Sequence, residues 1–506
     1  MYALALLAAL AISLAARGMD YHGNPDNYRF LIPRLKPGDT LQLAAGSYRQ
    51  GLWLHDLEGT RERPITIRGS EGKEPTRFVA RDGANTVSLS NAAYLIIESL
   101  ELDGQGRNAD AVKAEGTSAF SHHITLSRLA ITGHDADQSI VGINVQSPAW
   151  DWIIQDCVIR GAGTGMYLGR SEGTGGFVGG IIQGNIVTDT IGYNLQIKHQ
   201  KFRAPAPGMP HERRVTIIRH NVFSKRHGGS TGQRARPNVL VGHFPLSGAG
   251  ADDLHIIYAN VFYDNPNEAL FQGEGNIALY DNVFVNPSGA ALHIQPHNAR
   301  PRYIDLFHNT VLARGDGIVV AGVEPNLAPQ VVANVVFAER PLVGVSASGN
   351  IALSFEEAGS YLRSPYVDPP LLDVSPLEGM LRGARDVAPR WEDLPAQEVD
   401  FDGIPRTDTL GAFEYRPKGR PISLEYAPHG SYAAAQPSSN DGALSKCLLK
   451  RLFNPHLDPR STRDWPPVRR SPKHFLAKQR RSAHAGSSCP LHAEESWWEQ
   501  PSRAIR

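Results

Sequence analysis

One short phrase recurs along the sequence: a polar or small residue, an asparagine, then apolar residues. It reads GNIV at 184, HNVF at 220, ANVF at 259, DNVF at 281, HNTV at 308 and ANVV at 333. Its asparagines are Asn185, Asn221, Asn260, Asn282, Asn309 and Asn334, spaced by 36, 39, 22, 27 and 25 residues. Upstream, QDCVI at 155 and LSRLAI at 126 fill the same slot with other polar residues. The unit is one short repeat with two insertions. Each unit carries a strand ending in the polar phrase, a second apolar strand, a turn and a third strand. The third strands read GINVQ, GMYLG, NLQIK, NVLVG, ALFQG, ALHIQ and GIVVAG.

A strand this short buries a single row of side chains. One unit cannot cover its own apolar row, but stacked units make the rows continuous. Asparagine suits a fixed turn because it tolerates left-handed backbone and because its amide can hydrogen-bond to the next asparagine along a stack. Short period, β-branched strands and recurrent Asn specify an all-β parallel β-solenoid. A propeller needs a longer repeat, and a leucine-rich repeat needs regular leucines and helices.

Composition agrees. The chain has 49 glycines and is 41% hydrophobic and 20% charged, ordinary values for a chain with a sizeable core. Its formal net charge of zero hides an asymmetry: 15 Lys+Arg against 7 Asp+Glu from Pro417 onward, and 36 against 44 before it. The three cysteines show no disulfide framework or zinc spacing. Cys157 lies in an apolar run and reads as a buried small hydrophobe.

The pattern resembles right-handed parallel β-helix proteins of the pectate-lyase-like superfamily. The resemblance covers about Asp39 to Tyr415. It includes the opening LKPGDTLQLAAGSY, the following GLWLHDLEGTRERPITIRG, and DFDGIPRTDTLGAFEY at 400–415. It implies a right-handed parallel β-helix with an N-terminal cap. It fixes no single activity, because lyases, hydrolases, epimerases and binding proteins share the fold.

Boundaries follow. Residues 1–18 read as a secretory signal: the apolar stretch Ala3–Ala16 is too short to span a membrane and ends in small residues. Residues 19–360 form the β-helix with its cap. Residues 361–416 are a Pro-rich capping segment expected on the last coil. Residues 417–506, basic and without period, are expected to be disordered. The expected location is secreted, periplasmic or cell-surface. The mature chain is expected to lack a transmembrane segment, to bind no nucleic acid and to be a monomer.

Aligning the third strands on Val145, Leu168, Leu195, Val239, Ala269 and Leu292 gives outward ladders, with adjacent coils ~4.8 Å apart. One ladder holds Gln146, Gly169, Gln196, Leu240, Leu270 and His293. A second holds Lys198, Gly242, Gln272 and Gln295. Strand ends add His199, His243, Glu274 and His297. The two insertions, HQKFRAPAPGMPHERR and FSKRHGGSTGQRARP, are basic Gly/Pro-rich loops expected to flank this face. Lys201, Arg203, Arg213, Arg214, Lys225, Arg226, Arg234 and Arg236 would make the groove positive and attract a polyanion.

An acidic polysaccharide is the partner such a groove fits, and β-elimination or epimerisation of a uronate is the chemistry. The proton beside the carboxylate is weakly acidic, so its removal needs charge neutralisation and a positioned base. Lys198, depressed by nearby arginine, is the first candidate base and His243 the second. Arg236 and Gln272 would bind the carboxylate. His293 and His297 would hold sugar hydroxyls or donate the leaving-group proton. Gln196, His199, Glu274 and Gln295 complete the substrate-binding set. No metal site is assigned. Calcium, often found beside the catalytic pair in similar lyases, is a possible cofactor, with Asp252 and Asp253 as candidate ligands. Hydrolysis needs paired carboxylates, of which only Glu274 and Glu268 are available. The alternative to an enzyme is a non-catalytic carbohydrate-binding or cell-surface protein.

Overall fold

Short strands, mostly of three to five residues, follow one another along the chain, and those of the coils pair in parallel with strands one coil away, while Leu362–Ser364 and Asp373–Pro376 form a separate antiparallel pair. The computed structural model describes residues 18–425, apart from 117–118, 384–386, 388 and 392–393. The expected signal over 1–18 and the tail beyond Glu425 therefore lie almost wholly outside the described residues.

Each coil has three faces. The first is a 14-stranded sheet in which Ser121–Ser127, Ile153–Gln155, Ile181–Gln183, Val215–Arg219, Leu254–Tyr258, Ile277–Tyr280 and Ile304–Phe307 are successive rungs. The second and third faces merge into one 21-stranded sheet, because the strands Thr310–Val320 and Val335–Val343 run through the corner between them. Parallel strands joined by short crossovers wind right-handed. The chain is a right-handed parallel β-helix.

Register brings like onto like. On the first face Leu126, Ile154, Ile182, Ile218, Ile257, Leu279 and Leu306 form one inward row, and all are fully buried. Complete burial of such a side chain stabilises by about 1.5–3 kcal/mol, and stacking achieves it for every coil between the ends. Phe262 stacks on Phe284 at 4.4 Å in the same core.

The asparagine phrase turns the corner between first and second faces. The left-handed residue is the one before the asparagine: His220, Ala259, Asp281, His308 and Ala333 have φ between 53° and 59°. The asparagine itself points inward. Asn185 Nδ2 donates to Asn221 Oδ1 at 2.9 Å, Asn221 to Asn260 at 2.9 Å, Asn260 to Asn282 at 2.9 Å, Asn282 to Asn309 at 3.1 Å and Asn309 to Asn334 at 2.9 Å. The ladder runs one rung beyond the recurring phrase, to Asn350 at 3.0 Å. Cys157 takes the slot before Asn185, its N–H donating to Asn185 Oδ1 at 3.0 Å. It is buried, and burial pushes its thiol up to about 12.

At the N-terminal end the helical turn Tyr28–Leu31 covers the first coil, Tyr28 meeting Tyr48 edge-on at 5.1 Å. The C-terminal segment meets the last coil, where Ile351 and Leu353 pack against its apolar cluster, and it also lies along the outside of the second face over several coils. The outward residues there are apolar (Val261, Tyr263, Val283, Val285, Leu312, Val335, Phe337), and they form a second core with Phe355, Leu372, Val374, Leu410 and Phe413. An apolar row on the solvent side needs a cover. The packing also continues past the expected boundary at 416: Ile422 is buried and its N–H donates to Leu372 O at 2.7 Å.

Candidate functional site

The outward residues of the third face build the site. The paired register is Asn144, Tyr167, Gln196, Leu240, Gln272, His293 and Val319. Beyond the strands, backbone bonds from Lys198, Gly242, Glu274 and Gln295 to Leu168, Ile197, Val241 and Gly273 set a second column. Five placements expected from the sequence are thereby corrected. Gln146 and Gly169 belong to the column of Lys198, not that of Gln196; Gln272 takes the place expected of Leu270, beside Gln196 and His293; and Glu274 stands in the column of Lys198. Strands such as LQI and FQG offer two inward positions two residues apart. A slip of two keeps every side chain on its proper face.

Lys198 is half-buried, its Nζ 5.6 Å from the centroid of the Tyr167 ring. Burial pushes its pKa below the usual lysine range. Glu274 and Glu172 oppose that shift, and Arg236 adds to it. The neighbouring Tyr167 hydroxyl moves the other way, pushed by burial up to about 12. Tyr193, raised chiefly by burial, completes the wall: the Arg236 guanidinium lies 5.9 Å from its ring centroid. Gln272 Nε2 donates to Glu268 Oε1 at 3.2 Å. His293, lowered by burial, faces Asp316 with Nε2 3.8 Å from its carboxylate. Lysine, arginine, two tyrosines and a carboxylate–amide pair thus share one surface. Tyr167 and Tyr193 are absent from the sequence-derived set, because tyrosine on a strand reads as packing until the column is aligned.

Glu274 has a different task. It is 1% exposed. Its Oε2 accepts backbone N–H bonds from His297, Asn298 and Ala299 at 3.0, 2.7 and 3.0 Å, and its Oε1 accepts one from His243 at 3.3 Å. It fastens the turn after Gln295 to the neighbouring coil and is unsuited to a hydrolase role. His243 is held similarly: Nδ1 meets the Phe244 carbonyl and Nε2 lies 3.0 Å from Arg300 O. Both ring nitrogens face carbonyl oxygens, which leaves no lone pair aimed at a substrate.

Beside these turns lies a cleft of ≈ 300 Å³ bordered by His199, Lys201, His243, Phe244, Leu246 and Asn298. His199 enters it with a pKa lowered by burial and by the Lys198 charge, and with Nδ1 buried and unpartnered. His297 is exposed. Among the described residues no group of three or more His, Cys, Asp or Glu side chains converges.

The insertions enter from opposite edges of the third face, but much of their charge is spent on anchoring. Arg203 and Asp253, each 2% exposed in the side chain, pair at 2.7 Å. Arg214 pairs with Asp151, and Arg226 with Asp368 at 2.6 Å. Ala204 and Met209 of the first insertion pack on Trp150 and Val178 of the first face. Lys225 is buried and donates to Arg236 O at 2.7 Å; burial pushes its pKa down to about 7. A buried cation without a partner is costly, so these residues serve the loops, and the two Asp253 oxygens are engaged by Arg203 Nη2 and the Arg214 N–H. Lys201, Arg234 and Arg236 remain at the groove's margin.

No family model and no curated relative matches the sequence. Among solved structures the chain is similar to a GH136 lacto-N-biosidase from Eubacterium ramulus (TM-score 0.42, 13% identity, 66% of this chain and 67% of that one). It is similar to a PL6 family alginate lyase (TM-score 0.40, 13% identity), covering 65% of this chain and only 50% of that enzyme. It is also similar to the A-module of a mannuronan C-5 epimerase from Azotobacter vinelandii (TM-score 0.39, 14% identity, 63% and 89%). Among the described residues no helix is long and apolar enough to cross a membrane.

Proposed function

We propose that the protein acts, outside the cytoplasm, on an acidic polysaccharide by removing the proton beside a uronate carboxylate. The observation that carries this reading is the contact between Lys198 and Tyr167. Burial drives the lysine toward its neutral form and holds the phenol in its protonated form. Two titratable groups pushed apart in this way define a base and an acid in one place. The neutral Lys198 amine takes the proton from the carbon bearing the carboxylate. Arg236 offsets the charge that builds on the carboxylate. In β-elimination the carbon–oxygen bond to the leaving sugar breaks, a carbon–carbon double bond forms, and Tyr167 or Tyr193 gives its proton to the departing oxygen. In epimerisation a tyrosine returns a proton to the opposite face instead.

Incubation with alginate, pectate and glycosaminoglycans tests the proposal. A lyase releases unsaturated products that absorb in the ultraviolet, and an epimerase exchanges solvent deuterium into the polymer. Lys198→Ala should reduce either signal by roughly 10²–10⁴-fold. A protein that retains these polymers unaltered, with or without Lys198, is a binding module instead.

A further inference from the structure

The third-face column continues far beyond the site. Gln196 pairs with Tyr167, then Asn144, Lys113, Ser88 and Trp53, one rung per coil. Five steps separate Gln196 from Trp53, roughly 24 Å at the strand spacing. A 1,4-linked pyranose advances a polymer by about one such spacing, so a chain lying along the column passes one rung per sugar; Gln196, Asn144 and Ser88 are buried, Tyr167 and Lys113 half-buried, and Trp53 exposed.

Trp53 is 40% exposed. Two guanidinium groups rest on its indole: Arg29 Cζ is 4.8 Å and Arg81 Cζ 5.4 Å from the ring centroid. Arg29 Nη1 donates to Gln50 Oε1 at 2.5 Å, and Arg81 Nε is buried with no partner. Neither arginine has an ion pair among the described residues. Asp82, next to Arg81 in sequence, pairs with Arg107 at 2.6 Å. Glu115, near the adjacent rung, accepts from Ser88 and Asn85. Two like charges held on one ring, with an unsatisfied N–H and no counter-charge, form a fork for an anion.

We infer that Arg29 and Arg81, positioned by Trp53, form a remote subsite for a charged sugar of the same polymer chain whose reacting residue lies at Lys198. The inference rests on the proposed function. It adds that the substrate is a long anionic chain running along the third face, and that affinity grows with chain length.

Calorimetric titration of the full chain carrying Lys198→Ala with uronate oligomers tests this. An octamer spans both points and a trimer does not. The octamer should bind roughly tenfold tighter than the trimer, and Arg29→Gln with Arg81→Gln should erase that difference. Trp53→Leu should give a smaller loss in the same direction, and Arg29→Lys with Arg81→Lys should recover part of the affinity. Unchanged octamer affinity in the double glutamine variant, with an unaltered melting temperature, overturns the subsite and leaves the proposed function standing. Equal loss for a neutral gluco-octamer also overturns it. If no oligouronate binds the parent protein at all, the proposed function falls with it.

Discussion

At Lys198, neighbouring charges compete. Burial and Arg236 favour the neutral amine, and Glu274 and Glu172 favour the ammonium. If the neutral amine is the base, activity rises as pH climbs through the lysine's depressed pKa. Glu172 offers a way to move that limb without touching the substrate surface. It is an exposed carboxylate paired with Arg170 at 2.6 Å. Glu172→Gln removes a charge that stabilises the ammonium, so the pKa of Lys198 falls and the rising limb moves to lower pH, by about a few tenths of a unit for a screened charge. A pH profile of kcat/KM reads the shift. A limb that stays in place in Glu172→Gln, or persists in Lys198→Ala, assigns the base elsewhere. Lysine and arginine were legible here because charge on an outward strand position has no packing role. The tyrosines and the fastening roles of Glu274 and His243 were not, since they depend on which backbone groups the turns bring near.

Among the elements, the asparagine ladder governs how the coils hold together, and its recurrence made the fold readable from sequence. Its partners are internal. Asn260 Oδ1 accepts from both the N–H and the Nδ2 of Asn221, at 3.0 and 2.9 Å, and Asn260 Nδ2 donates to Ile218 O. Asn260→Ala leaves the buried Asn221 N–H without its acceptor and takes a donor from the Ile218 and Tyr258 carbonyls, while Asn221 Nδ2 keeps the Ile182 and Arg219 carbonyls. At about 1–3 kcal/mol for an orphaned group, with the weakened carbonyls added, the expected destabilisation is roughly 2–4 kcal/mol. Asn350, half-buried at the end of the ladder, should cost about 1 kcal/mol when changed to Ala. Urea denaturation of the two variants compares them, and equal losses would mean that an internal place in the ladder adds nothing over its end. What the phrase could not convey was register on the third face, where inward residues alternate without a distinguishing mark. Nor could it show the fate of the insertion arginines. Loop composition announces charge, but only the fold reveals that Asp151, Asp253 and Asp368 wait for it.

Across the whole molecule, the decisive feature is that one face of the helix is apolar on both sides. In the coils from Val261 to Phe337 the second face presents valine, leucine and aromatic residues outward, and the chain returns after Phe355 to cover them. The covering segment lies on the second face and leaves the third to its own loops. Its attachment is polar as well as apolar. Arg406 and Asp281 form an ion pair with side chains 1% and 4% exposed, and Tyr280 Oη donates to Pro395 O at 2.6 Å. Arg406→Met strands the Asp281 carboxylate in the interior, a loss of roughly 3–5 kcal/mol for a broken buried pair. Adding Asp281→Asn removes the stranded charge and should recover most of that loss, which a double-mutant cycle in denaturant measures. The single variant should also expose the strip from Val261 to Phe337, read as increased dye binding and faster proteolysis after Ser360. A single variant as stable as the parent would mean that the segment is held by its apolar contacts alone.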